Sequence, residues 1–186
     1  LKVDIPRTVV QSNVQVLSGQ LTQAGPGTFS GGGAALLVDG AASVFNAGTA
    51  AAGFGSVTAR NGGSVSGTGI VTAASYALQN ASIAGALGAG SLSVTGATTL
   101  SGTSGAQQVN VNTGGALTLS GSGGRLTGTP VVNVASGATL TLAGNETAAT
   151  LAVAGTLAKA GATGTLTAAT YALNGGASIS ADLGTG

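Results

Sequence analysis

Short runs of alternating apolar and polar residues recur along the chain. Val109 and Val111 alternate with Gln108, Asn110 and Asn112. The same period of two appears in Leu117-Thr118-Leu119, Val132-Asn133-Val134, Leu140-Thr141-Leu142 and Leu151-Ala152-Val153, and upstream in Val14-Gln15-Val16 and Leu92-Ser93-Val94. That period sends successive side chains to opposite faces of a strand. The runs are bounded by turn residues, as in Thr113-Gly114-Gly115, Ser136-Gly137 and Gly144-Asn145. Gly and Asn accept turn backbone that a β-branched residue resists. No helix-period stripe spans more than a turn or two. The pattern predicts an all-β chain of many short, densely spaced strands.

A long repeat lies over this local pattern. Thr72-Ala73-Ala74-Ser75-Tyr76-Ala77-Leu78-Gln79 returns 95 positions later as Thr167-Ala168-Ala169-Thr170-Tyr171-Ala172-Leu173-Asn174. Ser82-Ile83 then matches Ser178-Ile179, and Leu87-Gly88 matches Leu183-Gly184, one residue having been inserted in a turn. The 2 tyrosines of the chain occupy equivalent places. With coils of about 20 to 25 residues, the unit predicts four or five coils, and the chain roughly eight, some 40 Å long at the β-sheet spacing.

Composition explains why stacking suits this chain. Only 5% of the residues are charged and 3% aromatic, and Met, Trp, Cys and His are absent. The interior must be built mostly from Val, Leu, Ile and Ala, which would give a compact globule a weak core. Stacked coils avoid this, because each short unit buries its apolar residues against its neighbours. In a parallel coil, Val, Leu, Ile and Ala face inward, Thr and Ser face outward, and Gly turns the corners. Pro26 between Gly25 and Gly27 fits a turn, and Pro130 fits a strand start. Asn13, Asn46, Asn61, Asn80, Asn110, Asn112, Asn133, Asn145 and Asn174 are placed to stack in ladders or to cap corners.

Other architectures fit less well. An all-β sandwich also has many short strands, but the tyrosine repeat and the shortage of large core residues weigh against it. Disorder calls for low hydrophobicity and high net charge; here 43% of residues are hydrophobic and the net charge is +1. Collagen needs glycine at every third place. The reading is a single β-solenoid segment over 1–186, less regular over 1–66, with the long repeat relating 72–90 to 167–186. The more charged opening, Lys2-Val3-Asp4-Ile5-Pro6-Arg7, is expected to be a linker or an incoming strand.

Candidate chemistry is sparse. Without His or Cys the chain has no imidazole base, no thiol nucleophile and none of the common nitrogen or sulfur metal ligands. No catalytic residue, metal ligand or cofactor is therefore assigned. The acids are Asp4, Asp39, Glu146 and Asp182. A sugar-cleaving site would need converging carboxylates, and their spacing does not propose one. All four are expected to be solvated surface or turn residues; Asp182 aligns with Ala86 in the earlier repeat unit. Gly31-Gly32-Gly33 and Gly62-Gly63 lack the sequence context of a phosphate loop. Lys2, Arg7, Arg60, Arg125 and Lys159 are too dispersed for a nucleic-acid surface, and no apolar run is long enough for a membrane span. Tyr76 and Tyr171 are the candidate glycan contacts, provided that their rings face solvent; equivalent core or corner positions are the competing reading.

Two stretches carry a resemblance. Tyr76-Ala77-Leu78 through Leu87-Gly88-Ala89-Gly90-Ser91-Leu92-Ser93-Val94-Thr95-Gly96, continuing Thr98-Thr99-Leu100-Ser101-Gly102-Thr103, resembles the repeats of large bacterial exoproteins. Val132-Asn133-Val134-Ala135-Ser136-Gly137-Ala138-Thr139-Leu140-Thr141-Leu142-Ala143-Gly144-Asn145 is similar to autotransporter passenger repeats, and equally to the filamentous-haemagglutinin-like adhesins of two-partner secretion. The resemblance covers about residues 67 to 186 well and the rest loosely. It implies a right-handed parallel β-helix outside a Gram-negative cell, at the bacterial surface, within an adhesin or virulence-associated stalk. The expectation is a non-catalytic structural or adhesive stalk segment, with surface glycans or proteins as partners and end-to-end self-association through exposed strand edges. The alternatives are a glycan-binding module on a β-helix and a polysaccharide-cleaving β-helix enzyme.

Overall fold

Alternating strands that all run parallel must be joined by crossovers, and here each crossover is one further side of a coil. The computed structural model describes residues 2–3, 7–9 and 12–185, the first five of these as backbone only. Among them the chain winds as a right-handed parallel β-solenoid of about nine turns. Strands fall on three faces. The first face has ten strands, from Lys2–Val3 to Ser178–Ile179; the second has five, from Arg7–Val9 to Ala86–Leu87; the third has ten, from Val14–Val16 to Asp182–Thr185. The sandwich reading is thereby excluded, since every strand pair is parallel.

The turn count slightly exceeds the roughly eight expected from solenoid repeat lengths, because some coils are shorter than assumed. From Thr22 to its partner Asn46 the chain advances 24 residues, but from Ser82 to its partner Thr99 only 17. Tyr76 and Tyr171 are separated by five register steps, within the four or five expected: Tyr76 pairs with Leu92, Leu92 with Val109, Val109 with Val132, Val132 with Leu151, and Leu151 with Tyr171.

Register turns the alternation into core. A strand's inward residues repeat in the same place one coil later, so apolar side chains form columns along the axis. Val16, Val38, Ala59, Leu78, Val94, Val111, Val134, Val153 and Leu173 make one such column on the third face. Along these columns each side chain meets its neighbours at the sheet spacing of about 4.8 Å. Thr, Ser and Asn alternate outward, as in the half-buried outward Thr118 and Thr141.

Two features of the interior were not visible in the pattern. The 3 phenylalanines, far apart in sequence, meet in one cluster: Phe29 lies 5.4 Å from Phe54 and 6.2 Å from Phe45 between ring centroids, and Phe45 lies 5.5 Å from Phe54. They fill the interior of the early coils, where strands form on all three faces. For the two coils past Leu87 the second face continues as single-residue bridges, Leu87 to Ser104 and Ser104 to Leu126.

Corners use asparagine in a recurring way. The side-chain oxygens of Asn13, Asn80 and Asn145 each accept the backbone N–H of a residue in the following coil: Ala35 at 3.0 Å, Ala97 at 2.8 Å and Thr165 at 3.2 Å. Asn110 and Asn133, register partners, form a ladder of two, with Asn133 Nδ2 donating to Asn110 Oδ1 at 3.0 Å. The ladder stops there because the adjoining rungs are Ser93 and Ala152.

Candidate binding surface

Of the tyrosines named as candidate glycan contacts, Tyr76 is buried in the coil and Tyr171 is half-buried. Tyr76 is 1% exposed, and its ring offers no face to a sugar. Its hydroxyl accepts the Ala73 N–H at 2.8 Å and donates toward the carbonyls of Val71 at 2.9 Å and Ala89 at 3.3 Å. Burial pushes its phenol pKa up, against the smaller opposing effect of backbone hydrogen bonds. Tyr171 is half-buried and bonded alike: it accepts from Ala168 N–H at 2.8 Å and donates toward Leu166 O at 2.9 Å and Gly184 O. The core-or-corner reading of these residues is the one their geometry fits. Gly90 is part of the same design. It adopts φ +141°, and a Cβ there would lie 2.3 Å from the Ala73 carbonyl and 3.0 Å from the Tyr76 ring, so only glycine fits without displacing backbone.

The described acids do not converge. Asp39, ending the strand Ala35–Asp39, pairs with Arg60 one coil on, with Oδ2 2.7 Å from Nη2. Asn61 Nδ2 donates to its other oxygen at 2.7 Å. These bonds, that to Arg60 foremost, hold the Asp39 carboxyl below its ordinary value. Asp182 meets Lys159 at 3.1 Å. Asp4 lies outside the described residues.

Glu146 departs from expectation. It is not solvated but 3% exposed. Its Oε1 accepts the N–H of Arg125 at 3.0 Å, and its Oε2 accepts the N–H of Leu126 at 2.9 Å. Where the second face has no strand, this carboxylate takes the place of the missing backbone acceptors. Arg125 completes the corner by donating to the carbonyls of Ser101 and Gly123. Both the acid and the base are occupied in joining successive coils.

What remains open to a ligand is the outer surface. The alternating pattern leaves it rich in Thr, Ser and Asn, with its few charges paired at Asp39–Arg60 and Lys159–Asp182. A hollow of about 230 Å³ lies on the third face, lined by Asn110, Asn112, Asn133, Ala152, Ala154 and Asn174 among others. It exists because alanines follow the asparagine pair in the next coil, so the surface steps inward beside the amides. Asn112 Nδ2 is engaged by Ser93 Oγ at 2.8 Å. The asparagines could be picked out in the sequence, but the hollow needs the register that sets Ala152 beside Asn133. A second hollow, of about 340 Å³, lies over Ala51 and Gly53 and carries the hydroxyls of Thr28, Ser30 and Thr72.

Among the described residues no group of three or more acids, His or Cys could hold a metal ion, and no helix is long and apolar enough to cross a membrane. No protein-family model, curated protein or solved structure matches this chain.

Proposed function

We propose that the chain is a non-catalytic spacer: a structural or adhesive stalk segment of a large secreted bacterial surface protein, of the autotransporter-passenger or two-partner-secretion kind. The observation that carries this reading is the unbroken register. The first and third faces each join ten parallel strands, and the third face keeps one apolar column through nine of them, with the chemistry of each coil spent on holding the next. A parallel solenoid of this sort is a rod whose length follows from its coil number. Its outward Thr, Ser and Asn give a hydrated surface with few charges, suited to extracellular display, where repeated weak contacts with glycans or proteins would supply any adhesion.

The reading is tested in a surface protein carrying this segment. Replacing it by an unrelated solenoid of equal length should leave cell adhesion unchanged, whereas deleting it should weaken adhesion. Loss of adhesion on replacement would sink the spacer reading. A second reading, a glycan-binding module, is favoured by the asparagine hollow rather than by the tyrosines. A glycan-array screen of the isolated chain separates the two: selective binding to one glycan, weakened at least tenfold by Asn133→Ala, would replace the spacer reading.

A further inference from the structure

Successive coils leave the third face through the same kind of corner. The strand ends Asp39, Arg60, Gln79 and Thr95 are register partners. The residues that follow them, Gly40, Asn61, Asn80 and Gly96, are all left-handed, with φ of +105°, +54°, +51° and +76°. Asn tolerates this backbone better than most residues that carry a side chain. Asn61 differs from Asn80 in what comes next. Asn80 precedes Ala81, but Asn61 precedes Gly62. Gly62 is itself left-handed at φ +89°, and a Cβ there would lie 2.8 Å from the Ala41 Cα, so this corner calls for glycine. The fold thereby fixes an Asn-Gly pair at this turn. In such a pair the backbone nitrogen is least obstructed in attacking the preceding side-chain amide, because glycine brings no side chain of its own.

Both groups that would react are held, and from opposite sides. Asn61 Nδ2 donates to Asp39 Oδ1 at 2.7 Å, in the preceding coil. Gly62 N donates to the Asn80 carbonyl at 2.6 Å, in the following coil. Asp39 is itself held by Arg60, whose Nε donates to Oδ2 at 2.9 Å. Asn61 is exposed, so burial does not shield it from water. The hydrogen bonds to the two neighbouring coils are what keep the amide from the adjacent nitrogen.

We infer that Asn61 is a latent deamidation site, kept as the amide by the Asp39 carboxylate. With that clamp released, Gly62 N gives its proton to solvent base and attacks Asn61 Cγ. The Gly62 N–Cγ bond forms, the Cγ–Nδ2 bond breaks, and ammonia leaves with a proton taken from solvent. Water then opens the cyclic imide at either carbonyl, leaving aspartate or isoaspartate. Either product sets a second carboxylate where Asp39 now meets a donor, and like charges at that distance repel. Isoaspartate also adds a methylene to the backbone of the corner, shifting Gly62 from its bond to Asn80. The modification would therefore loosen a corner that ties three coils together. The inference goes beyond the spacer reading and does not depend on it.

The test is incubation of the intact chain in mildly alkaline buffer, with conversion of Asn61 followed by peptide mass spectrometry and isoaspartate detection. A free peptide with the sequence of residues 58–65 gives the unguarded rate. Conversion in the intact chain should be at least tenfold slower than in the peptide. Asp39→Ala should speed it at least threefold over the wild type. Asp39→Asn, which keeps a side-chain oxygen but not the charge, should fall between the two. Hydrogen exchange at the Leu78 and Leu92 amides, in the neighbouring coils, separates loss of the clamp from unfolding; if Asp39→Ala loses protection there, Asp39→Asn carries the test. Conversion of the intact wild-type chain at the peptide's rate would overturn the inference. So would a variant that keeps those amides protected and converts no faster than the wild type.

Discussion

Tyr76 and Tyr171 stand in one register column five coils apart, and each hydroxyl accepts the N–H three residues before it and donates toward the carbonyl five residues before it. The arrangement makes each tyrosine a corner lock: a ring filling the interior, with a polar tip satisfying backbone groups where the chain bends from one face to the next. Buried backbone groups need such partners, because leaving one unsatisfied costs about 1–3 kcal/mol.

Removing the two hydroxyls should therefore have unequal effects. Tyr76→Phe strands the buried Ala73 N–H and is expected to destabilise the fold by about 1–3 kcal/mol. Tyr171→Phe should cost less, because water can reach its half-buried site. Urea denaturation of both variants checks this; equal losses would argue against a role for burial.

The raised phenol of Tyr76 has a pH consequence. Its folded-state pKa lies above the unfolded value near 10, so the folded state keeps a proton that the unfolded chain releases. The contribution to stability is complete below about pH 10 and is lost as pH rises from there toward the folded pKa. Stability measured from pH 9 upward should fall less steeply in Tyr76→Phe than in the wild type.

Glu146→Gln tests the corner that lacks a strand. The amide nitrogen cannot accept, so one of the Arg125 and Leu126 N–H groups loses its partner. A loss of about 1–3 kcal/mol is expected, with hydrogen exchange accelerated first at Arg125 and Leu126. Protection unchanged at those two amides would refute the assignment.

Asp39 should titrate below its ordinary value, and Arg60→Gln should move it back toward that value. Because the folded pKa is depressed, the carboxylate's contribution to stability is present above about pH 4 and is lost as pH falls through the folded pKa. The group is at the surface, so salt should weaken the pairing. Carboxyl chemical shifts followed through acid titration give the measurement.

The amino-acid sequence by itself determined the strands, the parallel coil and the equivalence of the two tyrosines. Those follow from period two, from Gly and Asn at the bends, and from a repeat that only a stacked structure can honour. Val109 or Leu140 has one good place in such a coil, facing inward, and its neighbours show it. The tertiary structure alone decided what depends on residues one coil apart. Glu146 reads as a corner acid until Arg125 and Leu126 are set against it, 21 and 20 residues away. The phenylalanine cluster and the asparagine hollow have the same origin. Coil length varies between turns, so the side chains that meet along the axis are fixed by register and not by any local pattern.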